Sequence, residues 1–444
     1  MSAVTEPTAS PPAPDGEVVE LCRDLIRLDT SNYGDSSGPG ERKAAEYVAE
    51  RLADVGLDPT LLESDPGRTT VVARLDGDDP ARTDALLVHG HLDVVPADAA
   101  DWTRDPFSAE VADGCIWGRG AIDMKDMDAM ILSVVRDRLR TGRPPARPLV
   151  LCFLADEEAG GVLGSHWVAD HHPELFEGCR EGISEVGGFS LTVRDDLRLY
   201  LVETAQKGIE WMRLTVEGTA GHGSMVNHDN AVTELAEAVA RLGRHEWPLR
   251  LTPTVRSFLD AASEAYGVTL DPNDREQLVR TLGGVAKVIG ATLRNTTNPT
   301  MLRAGYKHNV IPGRADAYVD GRFLPGHEEE FRATLDEVLG PRVRRDVLVS
   351  DIALETEFTG DLVEAMSAAL VAEDPGARAV PYCLSAGTDA KAFSGLGIRG
   401  FGFSPLRLPP DLDFAGMFHG VDERVPIDGL RFGARVLDHF LDLA

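Results

Sequence analysis

The stretch "VLCFLADEEAGG" limits what this chain can fold into more than any other. From Pro148 to Ala155 no side chain carries a charge, and then Asp156, Glu157 and Glu158 follow without a spacer. A run apolar on both faces reads as a strand covered on both sides, the setting of parallel sheets flanked by helices. Short apolar runs at Val71–Leu75 and Ala85–Val88 extend the pattern, the second too apolar for a half-exposed strand. Helical patterns at Gly16–Leu28 and Glu41–Val55 precede them. A further helix, with Met127, Met130, Ile131 and Val134 on one face, lies between the second run and the strand that ends in acids. This alternation predicts an α/β domain whose mainly parallel sheet is covered by helices, with its chemistry at the carboxyl ends of the strands. The three acids stand at such an end. An unpaired carboxylate buried there would cost several kcal/mol or be driven neutral, and a bound divalent cation removes that problem.

The pattern changes near Gln206. Met212, Leu214 and Val216 alternate with polar residues, and a helix follows with Val232, Leu235, Val239 and Leu242 on one stripe. Strands are expected at Thr300–Ala304 and Arg314–Phe323, a helix at Glu328–Leu339 with Phe331, Leu335 and Val338 inward, and a strand at Val343–Val349. The order β-α-β-β-α-β is that of a ferredoxin-like unit, here with a helical insertion near Thr254–Leu293. After Leu354 the α/β character returns and ends in a helix at Gly429–Leu443. The 444 residues exceed one ordinary core. They divide into a disordered tail at 1–15, an α/β domain in two parts at 16–205 and 355–444, and a domain inserted at 206–354.

Composition excludes some functions. A formal charge of -29 argues against nucleic acid or an anionic membrane as partner. No window approaches the roughly 18 uninterrupted apolar residues of a membrane span. Five scattered cysteines without a C-x-x-C pair argue against a disulfide framework or a thiolate metal site, and a reducing cytoplasm fits them best.

Several short segments carry chemistry. In "LLVHGHLDVVP", His91 and Asp93 point to the same side, and a carboxylate can take one ring proton and aim the other nitrogen at a metal. From this segment alone a core histidine bonded to an aspartate is the ordinary reading, ahead of a metal ligand; His89 reads as structural. In "GCIWGRGAIDMKDM", Asp123 sits in a glycine-bounded loop before a helix, where a capping role is the ordinary one. Glu185 in "GISEVGGF" and His419 in "GMFHGVDERVPI" are unremarkable singly. Together these oxygen and imidazole donors suit zinc, cobalt or manganese, and a shared carboxylate is how dinuclear hydrolases hold ions about 3.5 to 4 Å apart.

"HGHLDVVP", "GRGAIDMKD", "DEEAGG", "GTAGHGS" and "HGVDE" resemble, in order and approximate spacing, the co-catalytic metallohydrolase family of succinyl-diaminopimelate desuccinylase, acetylornithine deacetylase, aminoacylase, carnosine dipeptidases and glutamate carboxypeptidase. The resemblance implies a zinc-exopeptidase-like catalytic domain and an inserted lid and dimerisation domain. It implies that His91, Asp123 and Glu185 bind one metal and Asp123, Glu158 and His419 the other. Asp93 would orient His91, and Glu157 would take a proton from the water held between the metals and pass it to the leaving amine. A cis peptide is implied at Asp123–Met124. His222 in "AGHGSM" would stabilise the oxyanion in the partner subunit's site. Asn309, Arg322, Gly387 and Thr388 would border the substrate carboxylate. Two departures stand out: "SEVGG" replaces the usual fifth-ligand motif, which leaves Glu181 as the other candidate, and Val226 stands where many members have proline.

The implied function is a dizinc hydrolase of an N-acyl amino acid or dipeptide, cleaving an amide beside a free carboxylate, cytoplasmic and homodimeric. A dedicated biosynthetic deacylase such as the desuccinylase or acetylornithine deacetylase is the alternative within enzymes. A catalytically silent binding module and a dinuclear phosphoesterase are the readings from other classes.

Overall fold

A computed structural model describes residues 14–35 and 37–444. The expected tail at 1–15 lies outside them except for Pro14 and Asp15, and Asp15 pairs with Arg435 at 2.9 Å. By its internal contacts the chain forms two compact units, one of residues Met1–Glu203, Phe358–Val380 and Thr388–Ala444, the other of Thr204–Glu357 and Pro381–Gly387.

The first unit is built on a mixed sheet. At its centre four strands run parallel: Leu149–Leu154, Ala85–His91, Cys179–Ser184 and Arg399–Gly402, in that spatial order. Every residue of Leu149–Leu154 and of Ala85–His91 is buried, as expected of strands covered on both faces. Beyond Leu149–Leu154 the strands Arg68–Leu75 and Thr60–Asp65 add antiparallel. This reversal brings the start of Arg68–Leu75 to the edge where the parallel strands end.

The helix Lys125–Thr141 departs from its sequence pattern. Met127, Met130, Ile131 and Val134 are buried, but so is every other residue from Lys125 to Arg138. Helices Val18–Arg27 and Ile427–Leu443 pack on it and cover the faces that the amphipathic pattern leaves to solvent. Its buried cations find partners, Arg138 donating to Asp438 at 2.7 Å and Lys125 to the Leu28 carbonyl at 2.8 Å. Both oxygens of Asp128, by contrast, lack a hydrogen-bond partner among the described residues, and burial pushes that carboxyl well above its usual range.

The second unit has a four-stranded antiparallel sheet in the order Thr296–Ala304, Arg314–Phe323, Gly208–Glu217, Arg344–Asp351. With helices Ala231–Arg244 and Glu328–Leu339 it is a ferredoxin-like unit. Its core joins Met212, Leu214 and Val216 to Leu235, Leu242, Phe331 and Leu335. The first helix turns one position from the expected stripe: Ala231, Leu235, Ala238 and Leu242 are buried, whereas Val232 is 40% exposed. Small alanines, which the stripe passed over, face the sheet and let the helix sit close. The insertion is three helices, Pro253–Tyr266, Arg275–Leu282 and Val285–Ala291.

Among the described residues no helix is long and apolar enough to cross a membrane. Phe331 is fully buried and stacks on Trp247 with ring centres 5.0 Å apart. Phe331→Ala is expected to destabilise the protein by about 3–5 kcal/mol through the lost contacts and the cavity left behind, measured by chemical denaturation.

Candidate metal centre

Parallel pairing decides which residues meet. His91 lies opposite Leu154 and Val88 opposite Ile183, so three neighbouring strands deliver His91 to Asp93, Asp156 to Glu158, and Glu185 to one edge of the sheet. Two loops complete the cluster. One is Gly118 to Asp123, which precedes the buried helix; the other carries His419. Glu423 ties them together: its fully buried carboxylate accepts from Gly120 N at 3.0 Å, Ile122 N at 2.8 Å and Arg119 Nη1 at 2.7 Å. The same arginine donates to the Gly420 carbonyl at 2.8 Å.

Asp123 is joined to Met124 by a cis peptide bond. The capping role that its position suggested is not the one it plays: Met124 occupies the N-cap of the helix and no side chain caps it. Instead, Asp123 Oδ1 stands 3.2 Å from His91 Nε2, and Oδ2 stands 3.3 Å from His419 Nε2. Glu158 Oε2 is 3.1 Å from that same His419 nitrogen, and its Oε1 accepts from Val95 N at 3.1 Å. Glu185 Oε2 is 3.5 Å from His91 Nε2, and Glu157 Oε2 is 4.0 Å from it. Glu181, the other candidate in its motif, points elsewhere and pairs with Arg147 at 3.2 Å and with Arg399.

His91 is aimed by its other nitrogen. Nδ1 lies 2.9 Å from the Asp93 backbone carbonyl and 3.5 Å from the Asp93 carboxylate. The carboxylate is drawn toward three N–H donors: Asn32 Nδ2 at 2.8 Å, Glu157 N at 3.1 Å and Glu158 N at 3.1 Å. Asp93 thereby caps the turn that carries both glutamates. Asp156 begins this turn at φ +68° and accepts from Leu163 N at 2.9 Å and Asn32 at 3.1 Å.

Ligand atoms of His91, Glu157 and Glu185, and likewise of His91, Asp123 and Glu158, lie within 4.8 Å of one another. Carboxylate oxygen and imidazole nitrogen are the donors that zinc, cobalt and manganese accept. Electrostatics points the same way. Burial, then the charge of Glu185, pushes Glu157 well above the usual carboxylate range. Burial and Asp123 raise Glu158 to about 7, and burial raises Glu185 as well. Hydrogen bonding to Asp123 and Glu158 lifts His419 to about 10. The cluster thus takes up protons to offset its own charge, and divalent cations supply that offset without protonating the ligands. The donor set fits such ions.

The remaining predicted residues belong to the second unit, apart from Thr388. His222 sits on the short strand Gly221–His222, paired with Val310–Ile311. Its Nδ1 accepts from the Ser224 backbone N–H at 3.2 Å, so in the neutral ring the proton is on Nε2, which is free to donate. The Asn309 carbonyl accepts from Gly223 N at 2.9 Å, next to the histidine, and its buried side-chain Oδ1 has no partner among the described residues. Arg322 is held by Asp320 through two bonds, at 2.7 and 3.1 Å. Gly387 closes the segment that ends this unit. Thr388 Oγ1 accepts from Ala390 N at 3.3 Å, just before the short helix Ala390–Ser394. Sequence reasoning missed Asn32, Arg68 and Glu423. Glu423 stood inside the quoted "HGVDE", whereas "TSNYG" reads only as a turn.

A sheet edge carrying clustered carboxylates and imidazoles defines a metal-dependent hydrolase. Residues 87–443 match the family model described as Peptidase family M20/M25/M40, and the chain belongs to that family. It is 30% identical to the "Probable carboxypeptidase S-like 2" of Dictyostelium discoideum over 77% of this chain and 68% of that one. It is 27% identical to aminoacylase-1 of Sus scrofa, over 92% and 90%. Among solved structures it shares its fold with the M20 family metallo-carboxypeptidase Sso-CP2 from Sulfolobus solfataricus, with a TM-score of 0.75 at 18% identity over 96% and 99% of the two chains.

Asp123→Ala is expected to remove divalent-cation binding at low micromolar concentration, while the Glu181→Ala protein binds as the unsubstituted one does; equilibrium dialysis with atomic absorption measures both.

Proposed function

We propose that the chain hydrolyses an amide bond beside a free carboxylate, in an N-acyl amino acid or a short peptide, using two divalent cations, zinc first and cobalt or manganese as substitutes. One observation carries the reading: a single carboxylate, Asp123, offers its two oxygens to two imidazoles at 3.2 and 3.3 Å. That is the arrangement of a shared ligand. His91, Asp123 and Glu185 would hold one ion, and Asp123, Glu158 and His419 the other. When bound, the pair polarises the scissile carbonyl and favours deprotonation of the attacking water.

The rest is work for side chains. Glu157 stands farther from His91 than Glu185 does, and its raised proton affinity suits a group that accepts a proton and later releases it. As water adds to the carbonyl carbon, Glu157 takes its proton; as the C–N bond breaks, Glu157 returns that proton to the nitrogen. Asp93 keeps His91 and the glutamate turn in register. His222, with its Nε2–H free, would donate to the developing oxyanion. Asn309, Arg322, Gly387 and Thr388 would border the substrate carboxylate, and Arg322 would receive it in exchange for, or together with, Asp320. Relatives named aminoacylase and carboxypeptidase support an amide substrate.

A homodimer formed through the inserted unit and a cytoplasmic location complete the proposal. The edge strand Arg344–Asp351 exposes Val347, Leu348 and Val349, which supports the first; five free cysteines support the second.

Glu157→Gln is expected to lower kcat by about 10²–10⁴-fold while the protein still binds two equivalents of cation. Amine release from a panel of N-acetyl amino acids, N-succinyl amino acids and dipeptides reads the activity. Undiminished turnover in that variant overturns the assigned base. Activity confined to the N-succinyl substrate favours the dedicated deacylase.

A further inference from the structure

The reaction as derived leaves Asn32 without a task, although it is only 4% exposed and lies on no helix or strand. Its amide nitrogen donates to Asp93 Oδ2 at 2.8 Å and to Asp156 Oδ1 at 3.1 Å. Its carbonyl oxygen accepts from Arg68 Nη2 at 2.9 Å and Gly34 N at 3.0 Å. Every hydrogen-bonding position of the amide is used. Its neighbours also decide which way it points, because a guanidinium only donates and an ionised carboxylate only accepts.

Arg68 reaches this place through the sheet. Its strand pairs antiparallel with Leu149–Leu154, Val71 opposite Phe153, and the same register continued brings Arg68 level with Asp156. The guanidinium lies 4.0 Å from Asp156 and pairs with the fully buried Glu41. A buried cation is thus linked through one amide to two carboxylates. One of those, Asp93, accepts the backbone N–H of both Glu157 and Glu158 and holds His91 through its own carbonyl.

We infer that Asn32, backed by Arg68, is a positioning residue that locks the Glu157–Glu158 turn to the His91–Asp93 strand end by bridging Asp93 and Asp156. For its effect on turnover the inference rests on the proposed role of Glu157. Without the bridging amide, Asp93 and Asp156 face each other with no donor between them, and the turn loses the register that sets where the Glu157 carboxylate stands. A proton-transfer group misplaced by about 1 Å costs on the order of 10²-fold in rate. Asp156, the first of the three consecutive acids, thereby acquires a role: it is the second post of this bridge.

Asn32→Asp keeps the shape and replaces the donor by a carboxylate oxygen; Asn32→Ala removes the group. Each variant and the unsubstituted protein are compared in kcat and KM for the best amide substrate and in zinc and cobalt affinity by calorimetry, all at 25 °C, and in Tm. The expected result is a loss in kcat of at least about tenfold with KM changed less than about threefold, and a cation affinity weakened by about tenfold. A lower Tm with kcat and cation affinity at unsubstituted values shows a structural role only and overturns the inference. Should Asn32→Asp fail to fold, Asn32→Ala alone decides. If the unsubstituted protein cleaves no amide, the functional proposal falls, and the cation affinities still decide whether Asn32 positions the ligands.

Discussion

Like charge gathered in a place of low solvation is the constraint on which this structure depends. Asp93, Asp123, Asp156, Glu157, Glu158 and Glu185 come together at the edge of a sheet whose strands Ala85–His91 and Leu149–Leu154 are buried along their whole length. Repulsion and desolvation both oppose the arrangement, so each carboxylate is held by specific donors or faces an imidazole. Backbone amides of the glutamate turn serve Asp93, Val95 N serves Glu158, and Leu163 N serves Asp156. What remains uncompensated is the site's capacity for divalent cations.

The backbone carries part of the cost. Among the described residues six non-glycine positions have positive φ, and three of them touch the cluster: Asp156 opens the glutamate turn, Val186 follows Glu185, and His419 is itself in the cluster. Such conformations persist where the surroundings over-determine them. Here the surroundings are identifiable. Glu423 and Arg119 bind the loop of Asp123 to the loop of His419, and Asn32 with Arg68 binds the first strand end to the second. Both devices put a buried charged group on backbone or side-chain donors far away in sequence, which fixes distances that hydrophobic packing alone leaves loose.

Much of the fold was legible because burial writes a period into the chain. The apolar runs at Ala85–Val88 and Pro148–Ala155 marked parallel strands, and the alternation at Met212, Leu214 and Val216 marked the one-sided sheet of the second unit. The run at Val71–Leu75, expected to be parallel as well, pairs antiparallel with both its neighbours, because burial on two faces reports cover and not direction. Legibility failed where a second layer covers a first. Lys125–Thr141 looks amphipathic yet is enclosed by two other helices, and the helix Ala231–Arg244 presents alanines that a search for large side chains passes over. Sequence alone did not separate Glu185 from Glu181: Glu185 stands just past the end of its strand and faces His91, whereas Glu181 lies within the strand and pairs with Arg147 and Arg399.

By itself the sequence determined the chemical inventory: which carboxylates and imidazoles stand at strand ends, in what order, and that they are too acidic together to be ordinary core. Those are local properties, carried by residue type and spacing. Only the tertiary structure decided their partners. That Asp123 faces two histidines rather than capping its helix, that Arg68 stands level with Asp156, and that Asn32 spans two acids follow from strand register and loop closure. Those contacts join residues up to about three hundred positions apart, and no pattern of neighbouring residues encodes a distance of that kind.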